Sequence, residues 1–204
     1  MQIVETVLQF GPLTRRTRTA RIVIHHSASG DVPVAEIHRW HRNRGWPGVG
    51  YHYIIRANGT IERGRPEAMQ GTHAPAANAD GIAICLTGNF EVDPPTPAQM
   101  TSLVWLIGDI KRRMGDLKIE EHRGVAVTAC PGKLFPFAAL LTQLENTGPR
   151  LLVNDKATSA SVRIVAGRTQ VQLDGHWIGV RTLADALGAT IGWDETTKTV
   201  SLTL

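Results

Sequence analysis

GIAICLT, residues 81–87, is apolar almost without interruption. Such a run suits a strand at the centre of a sheet that is covered on both faces, where no alternation is needed. Upstream, Arg21–His25 (RIVIH) is a shorter β-prone run that ends in polar residues, so His25 stands at a strand's end. Val34–Arg44 carries Ile37, Trp40, His41 and Arg44 at helical spacing, with Gly45 placed as its stop. Tyr51–Arg56 reads as a strand, followed by an Asn58-Gly59 turn and a second strand, TIERG. Downstream, residues 97–114 form the clearest helix, with Thr96 as cap, Pro97 at its first position and Gln99 completing a capping box. Met100, Leu103, Val104, Ile107 and Ile110 fall on one face, and Lys111, Arg112 and Arg113 suit its carbonyl end. A further helix over 133–144 rests on Phe135, Leu140, Leu141 and Leu144. Strands alternating with helices predict an α/β domain, a central mixed and mostly parallel sheet flanked by helices.

Residues 145–150 (ENTGPR) hold the turn formers of a linker, and beyond them the texture changes. Short β runs (SVRIV, TQVQL, KTVSLTL) surround one small helix, Arg181–Leu187, punctuated by Gly188. The expected organisation is a main domain over 1–144, a linker over 145–150 and a small α+β domain over 151–204. That last module has little apolar surface of its own and is expected to lean on a neighbour or a partner subunit. Its lone His176 reads as an ordinary surface or turn histidine.

The chain has 204 residues, 42% hydrophobic and 20% charged, with a formal net charge of +4. This is a soluble composition, and no stretch approaches the roughly 18 apolar residues of a membrane span. The first residues offer no export signal, because Glu5 precedes a short apolar run and the arginines follow it. Arg15, Arg16, Arg18 and Arg21 form one basic cluster, either a seat for an anionic polymer or solvated charge ahead of the first core strand. No aromatic residues are interleaved with it, which argues against nucleic acid as a partner. Of the two cysteines, Cys85 reads as a small buried hydrophobe; a Cys85–Cys130 disulfide stays open at this level.

Four residue types point to chemistry: histidine, cysteine, tyrosine and threonine. One histidine of the pair His25-His26, with His122 and Cys130 of EHRGVAVTACPGK, would give a borderline-soft ion three nitrogen and sulfur donors and leave a position open for water. Strand alternation does not decide between His25 and His26, and a packed Cys130 with a surface His122 is the competing reading. Tyr51 and His52 follow Gly48-Val49-Gly50, where glycines permit close backbone approach to a ligand. His73 lies in the polar loop QGTHAP, and Thr128 stands two residues before Cys130. Taken singly, Tyr51 also reads as a sheet aromatic and His73 as a loop histidine.

Across residues 20–142, VIHHSAS, IHRWHRNRGWPGVGYHYIIRANGTI, GTHA, DGIAICLTGNF, TPAQMTSL and HRGVAVTACPG resemble, in order and separation, the zinc-dependent N-acetylmuramoyl-L-alanine amidases. That family includes phage T7-type lysozyme and the peptidoglycan recognition proteins, and the likeness is nearest the phage or prophage endolysins. The resemblance implies Zn2+ on His25, His122 and Cys130, with Tyr51 and Thr128 as catalytic residues and Trp46, His73 and Asn78 along the substrate groove. It implies hydrolysis of the bond between the lactyl group of N-acetylmuramic acid and L-alanine in bacterial peptidoglycan. The alternative it leaves is a peptidoglycan-binding protein without catalysis, which the intact Cys130 disfavours. It further implies synthesis in the host cytoplasm and action on the wall after release through a holin-type pore. Three departures stand out: Cys85 where some members carry a glutamate, Gly124 where an aspartate is usual, and Val127 where a proline or small residue is common. The tail, RTQVQLDGHWIGVRTLADALGATIGWDETTKTVSLTL, resembles the small domain named after the amino-terminal part of copper amine oxidases. Wall attachment or homo-oligomerisation is what that likeness implies.

Overall fold

The structure is a computed structural model that describes residues 1–147, 150–158, 160–173 and 176–204. It divides into two compact units, Met1–Leu140 and Leu141–Leu204.

The first unit is built on six strands: β1 (Ile3–Val4), β2 (Arg21–His26), β3 (Tyr53–Ile55), β4 (Ile61–Arg63), β5 (Gly81–Leu86) and β6 (Lys118–Glu121). Their spatial order is β1-β4-β3-β5-β2-β6. Only the β3–β4 pair is antiparallel, so the sheet is mixed and mostly parallel. GIAICL is β5, between β3 and β2, and all six of its residues are buried. β2 runs beside it in register from Arg21↔Gly81 to His26↔Leu86. Continuous apolar runs are what strands flanked by neighbours and covered on both faces require. Helix α1 (Val34–Asn43) buries Val34 and Ile37 against Val49, Ile54 and Cys85.

Helix α2 (Pro97–Met114) carries the full reciprocal capping box between Thr96 and Gln99, a device that stabilises a helix start by about 1 kcal/mol. Its buried stripe is Gln99, Ser102, Leu103, Leu106, Ile107 and Ile110, shifted from the all-apolar face that spacing predicts. The reason is hydrogen bonding. The Gln99 Nε2–H group donates to the carbonyls of Ile55 (3.2 Å) and Thr87 (2.7 Å), and Ser102 donates to Gly59 O (2.6 Å). Two polar side chains thereby satisfy loop carbonyls that burial would otherwise strand.

The basic cluster is split. Arg16 is buried, donating to Thr19 Oγ1 (3.0 Å) and Gly81 O (3.2 Å), and Arg21 bridges Asp80 and Glu120 at 3.1 Å each. Arg15 and Arg18 remain exposed. The helix expected over 133–144 is instead α3 (Phe137–Thr147). Pro136 disfavours helical backbone at Phe135, so the chain turns through 133–136, and the first helical bond runs from Leu140 N to Pro136 O (3.0 Å). α3 continues into the stretch expected as linker, of which residues 148 and 149 lie outside the described residues.

In the second unit, β9 (Val162–Val165), β10 (Arg168–Leu173) and β11 (His176–Gly179) form an antiparallel sheet. β12 (Thr190–Asp194), β13 (Thr199–Thr203), β7 (Arg150–Val153) and β8 (Lys156–Ala157) form a second sheet in that order. Helix α4 (Val180–Leu187) ends at Gly188, whose φ of 67° is the left-handed cap. The core is Leu151, Val171, Val180, Ala184, Val200 and Leu202. His176 is exposed at the start of β11. The Asp-Gly of the tail motif, residues 174 and 175, lies outside the described residues. Among the described residues, no helix is long and apolar enough to cross a membrane.

Candidate active site

The site forms where β2, β5 and β6 end together. Parallel pairing places Ile24 opposite Glu121, so the next residue of each strand, His25 and His122, meet with ring centroids 4.3 Å apart. The chain turns at once into a short 3-10 helix, His122–Gly124, and must come back for Cys130 to join them. The Arg123 N–H closes that loop on Cys130 O (2.9 Å), and Val125 packs on Val23, Ala74 and Ala77. Gly124 is exposed and a Cβ there would meet nothing within 4 Å, so sterics do not require glycine at this position. Gly132, at φ 106°, lies so near Phe90 that a Cβ would come within 2.4 Å of its carbonyl carbon, which pins the chain just past Cys130.

His25, His122 and Cys130 each present a ligand atom within 4.8 Å of the others, and could hold a metal ion. Cys130 Sγ lies 3.8 Å from His25 Nδ1 and accepts from the His26 N–H at 3.4 Å. His26 itself turns elsewhere: its Nδ1 accepts from Phe90 N at 3.0 Å. Both cysteines are free, so no disulfide consumes the thiol.

Protonation suits a cation. Burial, reinforced by the neighbouring His73 and His122, holds His25 well below the ordinary imidazole range, and burial lowers His122 as well. Both rings are therefore neutral near pH 7, with lone pairs available. Burial pushes the Cys130 thiol up to about 11, against the opposing pull of the His26 N–H. A bound divalent cation would displace that proton and take the thiolate. The donor set of two nitrogens and one sulfur, spaced this closely, fits zinc with a position left open.

Tyr51 precedes β3, its ring 5.0 Å from that of His25 and 5.5 Å from that of His41. Burial raises its phenol well above the ordinary value, with the nearby Cys85 and Cys130 adding to the effect, so it keeps its proton. Gly50 does not serve a ligand: a Cβ there would lie 1.9 Å from Thr72 O, so the glycine lets the two loops touch. The Gly50 N–H donates to His41 Nδ1 at 2.9 Å. His52 is structural, accepting from Ala83 N (3.0 Å) and bonded to Met69 O (2.9 Å).

His73 Nδ1 lies 3.0 Å from His25 Nε2. Asn78 Oδ1 accepts from the N–H groups of His73 (2.8 Å) and Ala74 (3.0 Å), so its carbonyl is spent on the loop rather than on the cleft. Thr128 is exposed, its hydroxyl accepting from Cys130 N at 3.2 Å. Trp46 is half-buried, its ring edge-on to His41 at 4.7 Å and beneath the Arg44 guanidinium at 5.9 Å. Cys85 is buried opposite His25 in the β2–β5 register, and burial pushes its thiol well up. It is a neutral thiol and does not replace a carboxylate base.

Sequence reasoning passed over Arg65. It is buried and donates to Val49 O (2.9 Å), Gln70 O (2.8 Å) and Thr72 Oγ1 (2.7 Å), while its own N–H donates to Tyr51 O (2.8 Å). It ties the loop of Tyr51 to the loop of His73. Within ERGRP it looks like any surface arginine, and only tertiary contacts distinguish it.

Residues 15–133 match the N-acetylmuramoyl-L-alanine amidase family. The chain belongs to that family. An endolysin of Klebsiella phage KP32 is 39% identical over 126 residues, covering 58% of this chain and 83% of that protein. The solved structure of N-acetylmuramoyl-L-alanine amidase LysC from Clostridium intestinale URNW superposes with a TM-score of 0.69 at 38% identity, over 71% of this chain and 98% of that one. Drosophila PGRP-LB shares the fold, with a TM-score of 0.61 at 24% identity over 65% of this chain and 89% of its own. This amidase is therefore an enzyme of peptidoglycan hydrolysis, with its family region confined to the first unit.

Proposed function

We propose that the enzyme is a zinc-dependent, phage-type endolysin that cleaves the amide between the lactyl group of N-acetylmuramic acid and L-alanine of the stem peptide. The observation that carries this reading is the convergence of His25, His122 and Cys130, two neutral imidazoles and a thiol, at the ends of adjacent strands. When bound there, zinc supplies a Lewis acid that acidifies water and draws charge from the carbonyl oxygen.

The chain's own residues do the rest. Tyr51, protonated and close to His25, donates a hydrogen bond to the carbonyl oxygen as negative charge develops. The departing L-alanine nitrogen takes its proton through Tyr51 or from solvent. The Thr128 hydroxyl, which accepts from Cys130 N, keeps its own hydrogen to donate to substrate at the loop rim. Trp46 offers an aromatic wall, His73 borders the groove beside His25, and Asn78 shapes that border by holding its loop.

The endolysin relatives support action on the bacterial cell wall; on this reading the enzyme is made in the host cytoplasm and reaches the wall through a holin-type pore. The second unit, whose strands begin at Arg150, is an accessory domain on this reading, for wall attachment or homo-oligomerisation. Digestion of purified sacculi tests the bond assignment. The expected products are peptides with new amino-terminal L-alanine and no new reducing sugar. New reducing ends without free L-alanine would identify a glycan-cleaving enzyme and overturn it.

A further inference from the structure

The ring of His25 has two nitrogens and two neighbours. Nδ1 faces Cys130 Sγ at 3.8 Å, and Nε2 faces His73 Nδ1 at 3.0 Å. The two histidine rings stand nearly perpendicular, at 86°, so one nitrogen of His73 points at the edge of the His25 ring. We propose that His73 is a positioning residue: its Nδ1 accepts the Nε2–H of His25 and so leaves the Nδ1 lone pair of His25 aimed at the metal. This rests on the reading of His25, His122 and Cys130 as a zinc site.

The inference follows from proton counting. A neutral imidazole has one N–H, and a ring that ligates through Nδ1 must carry it on Nε2. An acceptor on Nε2 fixes both tautomer and ring rotation, the task that partners beyond the ligands perform at metal centres. His73 can accept at Nδ1 only if its own proton sits on Nε2, and Nε2 is buried with no partner among the described residues.

The surroundings hold His73 in place. Asn78 Oδ1 accepts from its N–H, and Gly71 leaves the room its ring needs, since a Cβ there would lie 2.3 Å from His73 Cδ2. Thr72, the residue before it, receives a hydrogen bond from the buried Arg65.

The test uses the full chain and zinc alone. His73→Phe keeps a ring but loses the acceptor, whereas His73→Asn keeps an acceptor where Nδ1 stands. Zinc affinity by chelator competition should fall about 10–100-fold in His73→Phe, the range for losing such a partner, and recover most of that in His73→Asn. In parallel, 15N NMR of the zinc-loaded wild-type protein should show His25 protonated on Nε2. Wild-type zinc affinity in a folded His73→Phe protein would overturn the proposal and leave His73 a substrate contact, seen as a raised KM alone. Equal losses in both variants would overturn it too, since the acceptor would then not matter; should His73→Phe not fold, affinity in His73→Asn and the wild-type tautomer decide. Absence of zinc binding by the wild-type chain would remove the metal site itself, and that failure is distinct.

Discussion

Residues 1–140 bury their three central strands almost along whole lengths, whereas the described strands of residues 141–204 are buried only at scattered points. All of β5, and β2 after Arg21, are buried, while β12 exposes Ile191 and Trp193 and β9 exposes Ile164 and Val165. Among the described residues, the second unit rests on six buried ones. The first has enough core to force polar side chains such as Arg65, His52 and Gln99 inside, each answered by hydrogen bonds. A site that must hold three donors within a few ångströms needs that stiffness, and it is found only on the first unit among the described residues.

The sharpest way to break this contrast is Cys130→Ser. Zinc content should collapse and hydrolysis of sacculi should fall at least about a thousandfold, equivalent to roughly 4 kcal/mol of barrier. Retained zinc with unchanged turnover would remove Cys130 from the ligand set.

Leu202→Ala probes the other side. Truncating a buried leucine costs about 2–5 kcal/mol, a large share of what a six-residue core can supply. Calorimetry should show the transition of residues 141–204 lost or greatly lowered, with zinc affinity unchanged.

Acid sharpens the comparison further. Burial lowers His52 to about 3 and His41 to about 4 from an ordinary 6.5. An unfolded chain therefore binds protons that the folded one refuses, so their stabilisation is complete above about pH 6.5 and is lost as pH falls towards 3. The cost should reach a few kcal/mol and fall on the first unit, because the second holds one histidine, the exposed His176. Denaturant midpoints at pH 7.5 and 4.5 check this, and His52→Gln should flatten the difference.

The smallest effect belongs to Thr96→Ala, which removes one half of the capping box on α2. It should cost about 1 kcal/mol, a fall in Tm of roughly 2–4 °C, with zinc binding unaltered.

Much of this was legible before any coordinates. GIAICLT marked the central strand because continuous burial leaves no polar face, and Thr96-Pro97-Gln99 marked a helix start because capping is local. The start of α3 was misjudged, since the apolar spacing after Cys130 outweighed the restraint Pro136 puts on Phe135. The face of α2 was legible in part. Leu103, Ile107 and Ile110 are buried as the spacing predicts, but Met100 and Val104 are half-buried while Gln99 and Ser102 are buried to serve carbonyls far away in the chain. That Asn78 bonds its own loop and that His73 faces His25 was not legible in QGTHAP, because both contacts depend on how the loop folds back.

From its residues alone, the chain marked the central strands β2 and β5, the helices α1 and α2, and the side chains able to bind a soft cation. Those properties depend on local periodicity and donor chemistry. Strand alternation left His25 and His26 open and the family resemblance pointed to His25; tertiary structure alone turned its ring to Cys130 and made Arg65 tie together the loops of Tyr51 and His73. Such choices depend on contacts between residues far apart in sequence, and a strand's two-residue period is silent about them.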